Sequence, residues 1–265
     1  MSLIDPERDL DFARRLADAA RAASLPLFRS GLDADNKLSG GFDPVTRADR
    51  EVEAALRAMI AAERPGDGVR GEEQAETASS NGRTWILDPI DGTRAFIAGL
   101  PTWTVLIALA GPDGPALSVI DQPFTGERFS GVRGAGAWFE RGGVSEPVRT
   151  RSEARLAEAI GSTTDPFLFA GAEAEAFGRA RSAARLMRYG LDAYAYAQIA
   201  MGGVDFVIES GLQPWDVAAL IPVVEGAGGV VTDWRGARTE NGQVLAAANR
   251  TLHAELLEVL ATGPA

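Results

Sequence analysis

The segment Trp85-Ile86-Leu87-Asp88-Pro89-Ile90-Asp91-Gly92-Thr93-Arg94-Ala95-Phe96 constrains this chain more than any other. Three apolar, strand-like residues run into two carboxylates three apart, then a Gly-Thr pair, then a segment with helical character. The pattern predicts a strand feeding a tight turn that opens a helix. Pro89 fixes its own φ and biases Asp88 towards an extended conformation, so the turn is stiff. A stiff turn can aim both carboxylates and the Ile90 carbonyl at one point, and such a cluster of hard oxygens suits Mg2+. The N–H groups of Gly92 and Thr93 would then lie at a helix start, where a phosphate can be held. An Asx turn using Asp and Gly only for its geometry is the plainer alternative. Gly71-Glu72-Glu73 and Pro214-Trp215-Asp216 supply further acids that such a centre would need.

Composition narrows the chemistry. The 265 residues can bury a large core, and 46% hydrophobic with 24% charged residues is ordinary for a globular protein. A net charge of -11 argues against nucleic acid or an anionic membrane as partner. The chain has no cysteine, which removes disulfides, thiolate metal sites and cysteine nucleophiles together. No signal-peptide pattern opens it and no apolar run approaches membrane length, so a cytoplasmic protein is expected. The single histidine, His253, falls in an amphipathic helix near the C-terminus, where packing explains it. Any nucleophile must be activated by metal, carboxylate or hydroxyl.

Taken in order, residues 9–30 have helical spacing, with Asp5-Pro6 as a start. Residues 31–45 read as a loop or short hairpin. Asp43-Pro44-Val45-Thr46 leads into a second helix that buries Val52, Ala55, Leu56, Met59 and Ile60, with Arg50, Glu51, Glu53 and Arg57 outside. Asp49 lies in its first turn, where capping or the helix dipole would account for it equally well. Residues 63–71 read as a loop. A meander of short strands follows over 103–110, 116–120, 127–132 and 137–140, punctuated by glycines. Beyond 150 helices are expected over 151–157, 173–185, 190–201 and 217–225, alternating with short strands. The pattern predicts an α+β half, residues 1–147, bearing the metal-binding motifs, and an α/β half, residues 148–265, completing the site.

Four unpaired carboxylates in one cavity would repel, and divalent cations would remove that cost. Two or more such ions can hold a phosphate, activate a water and stabilise the leaving oxygen. A P-loop is absent. A covalent aspartyl design of the D-x-D-G-T kind needs carboxylates two apart, not three, which favours direct attack by a metal-activated water.

These motifs, with Glu225-Gly226-Ala227-Gly228-Gly229, resemble those of the inositol monophosphatase superfamily. The resemblance runs from Thr46-Arg47-Ala48-Asp49 to Ala246-Ala247-Ala248-Asn249. It implies a layered α-β-α-β-α sandwich, usually homodimeric. It implies two or three Mg2+ per site, held by Glu72, Asp88, Asp91, Asp216 and the Ile90 carbonyl. It further implies Thr93, paired with Asp49, as the group that orients or deprotonates water, Glu72 as a further catalytic residue, and Gly92 and Thr93 as phosphate binders. Inositol-type members commonly read Asp-Gly-Thr-Thr-Asn-Phe where this chain has Asp91-Gly92-Thr93-Arg94-Ala95-Phe96. With Gly190–Tyr196 and Ile221–Gly226, this is more similar to the histidinol-phosphate phosphatases of the superfamily. Arg94, Asp192 and Glu209 are the implied substrate-facing residues. The expected activity is hydrolysis of histidinol phosphate in histidine biosynthesis. An inositol-1-phosphate or sugar-phosphate phosphatase, or a non-catalytic sensor on the same fold, are the alternatives.

Overall fold

A computed structural model of the chain describes residues 3–31, 34–36 and 44–261. Helix α1 (Pro6–Ser24) starts where Asp5 accepts the Arg8 N–H and Pro6 occupies the first turn. It ends earlier than the spacing predicted, in turns over 25–30. Strands β1 (Ala34–Asn36) and β2 (Pro44–Thr46) pair antiparallel, so the loop-or-hairpin segment has strands at its ends; the stretch 37–43, including the Asp43 lead-in, lies outside the described residues. Helix α2 (Arg47–Glu63) begins at a capping box. Thr46 takes the Ala48 N–H, and the Asp49 carboxylate takes the Thr46 N–H at 2.8 Å.

The expected loop over 63–71 ends in a strand, β3 (Gly68–Gly71), which pairs parallel with β4 (Thr84–Asp91). Four residues with glycine at each end carry little strand signal by themselves; the pairing with β4 makes them one. After α3 (Thr93–Ile97) the meander runs through β5 (Thr104–Gly111), β6 (Gly114–Gln122), β7 (Glu127–Val132), β8 (Gly136–Arg141) and β9 (Val144–Pro147). Their order in the sheet is β3-β4-β5-β6-β7-β8-β9.

Beyond it, the helix expected over 151–157 is reduced to one 3-10 turn at 156–158. The Asn249 side-chain N–H group donates to the carbonyls of Arg151 and Ala154, and Glu255 accepts the Leu156 N–H, so tertiary partners replace helical ones. Strand β10 (Ile160–Thr163), α4 (Ala172–Ala183), the unanticipated strand β11 (Leu186–Tyr189) and α5 (Tyr194–Ala200) follow. Helix α5 starts later than expected because Gly190 and Asp192 both have positive φ. Then come β12 (Phe206–Leu212), α6 (Pro214–Ala218), α7 (Leu220–Gly226), β13 (Val230–Thr232), β14 (Gly242–Ala247) and α8 (Arg250–Ala261). The second sheet has the order β11-β10-β12-β14-β13.

Two apolar cores set the layering. One packs α1 and α2 on the seven-stranded sheet through Phe12, Leu16, Leu56, Trp85 and Leu87. The other gathers α5 and α7 between the two sheets, with α4 and α8 on the far side of the second. The result is the expected α-β-α-β-α sandwich. His253 is buried in it, its Nε2 within 2.7 Å of Thr232 Oγ1, so packing accounts for it.

One ionic network ties α1 to the root of β4. Arg83 donates to both oxygens of Asp9, each at 2.8 Å, and to Asp67, which also accepts the Trp85 indole N–H. Removing one partner strands a buried charge. Arg83→Met should therefore lower the unfolding free energy by about 3 kcal/mol, read by urea denaturation.

Candidate active site

Strand β4 delivers the first two acids by a break in its pairing. Asp88 lies opposite Leu106 and Asp91 opposite Thr104, so Pro89 and Ile90 together face one residue of β5. In a regular strand, positions three apart point to opposite faces; one extra residue returns them to the same face. Trp85, Leu87 and Ile90 go to the core under α1 and α2. Pro89 has no N–H to lose at such a place. The Ile90 N–H is satisfied by Asp88 Oδ1 at 3.0 Å. Gly92 then takes φ +81, a left-handed turn into α3.

The third acid arrives from the other half of the chain. Asp216 sits in the first turn of α6, and its Oδ2 accepts the Gln213 N–H at 2.7 Å. Oxygens of Asp88, Asp91 and Asp216 all lie within 4.8 Å of one another. Glu72, Ile90, Gly92 and Thr93 line the same cavity, of about 580 Å³. So do Asp192 and Glu209. Acids from positions 72 to 216 therefore meet in one pocket.

Asp49 serves two purposes. One carboxylate oxygen caps α2, while the other accepts from Thr93 Oγ1 at 3.2 Å. The Thr93 hydroxyl is also 3.1 Å from the Ile90 carbonyl. Asp192 does not cap α5. Its side chain lies against the α-carbon of Gly92, where a Cβ would come within 2.9 Å of Oδ2. The neighbouring Ala193 N–H donates to Asp91 Oδ2 at 2.7 Å. Glu209 is buried and accepts the Thr164 N–H at 2.6 Å, so it is not a surface charge. Arg94 is exposed and is not part of the cavity lining, but its charge favours the ionised form of Asp192.

Burial dominates the electrostatics. It pushes Asp88 and Asp91 well above the usual carboxylate range, and their acidic neighbours push further. Asp49 is raised chiefly by burial, despite its hydrogen bonds. Burial raises Asp192 to about 6, with Arg94 opposing, and Glu209 to about 7, with Thr164 opposing. An all-oxygen donor set this crowded fits a hard divalent cation, whose charge would offset the repulsion.

Two residues of the site region have a place that the sequence analysis does not give them. Tyr196, on α5, lines the cavity with a buried hydroxyl that has no acceptor among the described residues. A buried helix position gives no signal for that. Glu53, expected outside, is fully buried beneath the Glu72 loop, and the Arg57 side chain is only 13% exposed. Here the sequence did hold a signal: positions 49, 53, 56 and 60 share one helical stripe.

The profile of the inositol monophosphatase family matches residues 5–264. The chain belongs to that family. It is thus a phosphatase of a metal-dependent family that acts on small phosphorylated substrates. The histidinol-phosphatase of Mycobacterium tuberculosis is 37% identical over 96% of this chain and 98% of its own length. That of Chlorobaculum parvum is 36% identical over 96% and 97%. In structure, an inositol monophosphatase from Zymomonas mobilis superposes with a TM-score of 0.86 at 40% identity, covering 98% of this chain and all of that one. Among the described residues no helix is long and apolar enough to cross a membrane.

The raised carboxyls make a pH prediction for metal-free protein. At pH 8, Glu209 and Asp192 are largely ionised in both the folded and the unfolded chain. As the pH falls towards 5, the folded chain takes up protons while the unfolded chain still holds few, so folding is favoured. With EDTA present, Tm should rise from pH 8 to pH 5, and Glu209→Gln should flatten part of that slope, as differential scanning fluorimetry can measure.

Proposed function

We propose that this chain is a cytoplasmic, homodimeric, Mg2+-dependent phosphomonoesterase that hydrolyses histidinol phosphate to histidinol and phosphate. The observation that carries the substrate choice is the second acidic pair, Asp192 and Glu209, lining the cavity that holds Asp88, Asp91 and Asp216. Histidinol phosphate bears an ammonium and a titratable imidazole. A cationic substrate stabilises two desolvated carboxylates by charge-assisted hydrogen bonds, whereas a neutral polyol offers only hydroxyls. The histidinol-phosphatases at 36% and 37% identity support the same reading. An inositol or sugar phosphate is the second reading, favoured by the likeness to the Zymomonas mobilis enzyme.

In this reading Glu72, Asp88, Asp91, Asp216 and the Ile90 carbonyl hold two or three Mg2+. Bound there, the cations would neutralise charge on the phosphoryl group and make water more acidic. The half up to residue 147 supplies most of these ligands, and the half from 148 supplies Asp216 and the substrate-facing acids. Thr93 Oγ1 can donate to Asp49, leaving a lone pair to accept from the attacking water and so orient it. The buried Asp49 carboxylate, raised above its ordinary range, is a better proton acceptor than an exposed one. Glu72, beside Asp88, would be a second acceptor for the water's proton. Gly92 and Thr93 N–H groups bind the phosphate oxygens, and the close approach of Asp192 to Gly92 puts the alcohol side of the ester next to that acid. Arg94 helps keep Asp192 ionised. Direct attack by water, with inversion at phosphorus, is the expected course. For the dimer, support comes from exposed apolar side chains Leu186 and Tyr189 on β11, the outer strand of its sheet.

Asp91→Asn should cut turnover by orders of magnitude while the protein stays folded; turnover near that of the parent would refute the ligand assignment. With Mg2+, kcat/KM should favour histidinol phosphate over inositol 1-phosphate, and Asp192→Ala should erode the ratio by about tenfold, the worth of one charge-assisted hydrogen bond. A parent protein that prefers the inositol ester would move the assignment to the second reading.

A further inference from the structure

We propose that Glu53 is a positioning residue that fixes the Glu72 arm of the acidic site, acting through the backbone of residues 73 and 74. The proposal rests on the reading of Glu72 as a metal ligand.

Glu53 lies mid-helix in α2, where it caps nothing, and it is fully buried. A carboxylate in that position is costly unless each oxygen is satisfied. Both are, and by the segment that carries Glu72. Its Oε2 accepts the Glu73 N–H at 2.7 Å, and its Oε1 accepts the Gln74 N–H at 3.0 Å. Arg57, one helical turn on, donates from Nε to Oε1 at 2.7 Å and from Nη2 to the Gln74 carbonyl at 3.1 Å. The pair thus grips the Gln74 peptide residue by both its polar edges.

The other side of Glu72 is held by close approach. A Cβ on Gly71 would fall 2.4 Å from Glu53 Oε1, so only glycine lets the loop sit on the carboxylate. With residue 71 pressed against Glu53 and residues 73 and 74 hydrogen-bonded to it, the loop has little freedom left, and Glu72 lines the cavity. Asp49, four residues earlier on the same face of α2, holds Thr93. One helix therefore sets two parts of the site that lie 21 residues apart in the chain. Groups that orient a metal ligand without touching the metal typically change affinity or activity 10–100-fold when replaced.

The test measures Mg2+ binding directly, by isothermal titration calorimetry on the full chain, together with Tm. Glu53→Gln keeps the size but offers one acceptor oxygen where the loop presents two N–H groups. It should weaken Mg2+ binding by about tenfold or more. Gly71→Ala disturbs the same contact with no change of charge and should weaken binding in the same way; if Glu53→Gln does not fold, Gly71→Ala decides. The Glu72→Gln variant sets the scale. Because Glu53 acts through Glu72, the double variant Glu53→Gln/Glu72→Gln should bind no more weakly than Glu72→Gln alone, whereas a general loss of stability would give additive losses. If Glu72→Gln weakens binding while Glu53→Gln and Gly71→Ala leave it unchanged, the proposal fails and the ligand reading stands. If Glu72→Gln binds like the parent, the ligand reading falls and takes the proposal with it.

Discussion

Mutual repulsion among crowded carboxylates is the constraint around which the molecule is arranged. Asp88, Asp91 and Asp216 are brought within a few ångströms of one another, and the surroundings of Asp88 and Asp91 disfavour their charge. Unaided side chains would turn away to solvent. Each is instead held by a backbone feature that costs little to maintain. Asp88 receives the Ile90 N–H, Asp91 receives the Ala193 N–H, and Asp216 receives the Gln213 N–H. One oxygen of each acid is thereby pinned, and the acid cannot relax by rotating.

Rigidity comes from where those backbone segments are rooted. The β4 bulge lies at the C-terminal end of the second strand of a seven-stranded sheet that is covered on both faces. Helix α6 packs against β4 and β5, so Asp216 reaches the bulge across a contact between the two halves of the chain. The site stands at the seam of two apolar cores, and neither half holds all three acids.

Much of this could be read from the chain because local chemistry dictated it. Pro89 between two apolar-flanked aspartates, followed by Gly92, permits few backbone paths, and the structure follows one of them. The meander of β-rich runs punctuated by glycines is as clear in the chain as in the sheet. What could not be read was decided by distant partners. Asn249 and Glu255 unmake the helix expected at 151–157. Strand β11 exists because β10 offers it an edge. Glu53 differs for another reason: its charge favours an exposed place, but the stripe it shares with Asp49, Leu56 and Ile60 points inward. Asp49 stands open in the chain between a cap and a partner of Thr93, and one of its oxygens takes the Thr46 N–H while the other takes the Thr93 hydroxyl.

The contact between Asp192 and the α-carbon of Gly92 has a bearing on how such a protein can diverge. On the proposed reading, the residue that faces the alcohol portion of the ester also forms the wall behind the turn proposed to bind phosphate. Larger side chains at 192 would press on Gly92, and smaller ones would leave that turn unsupported. Selection for a new alcohol at this position therefore acts on turnover as well, and changes of preference should be easier to accommodate from the far wall around Glu209 and Leu168.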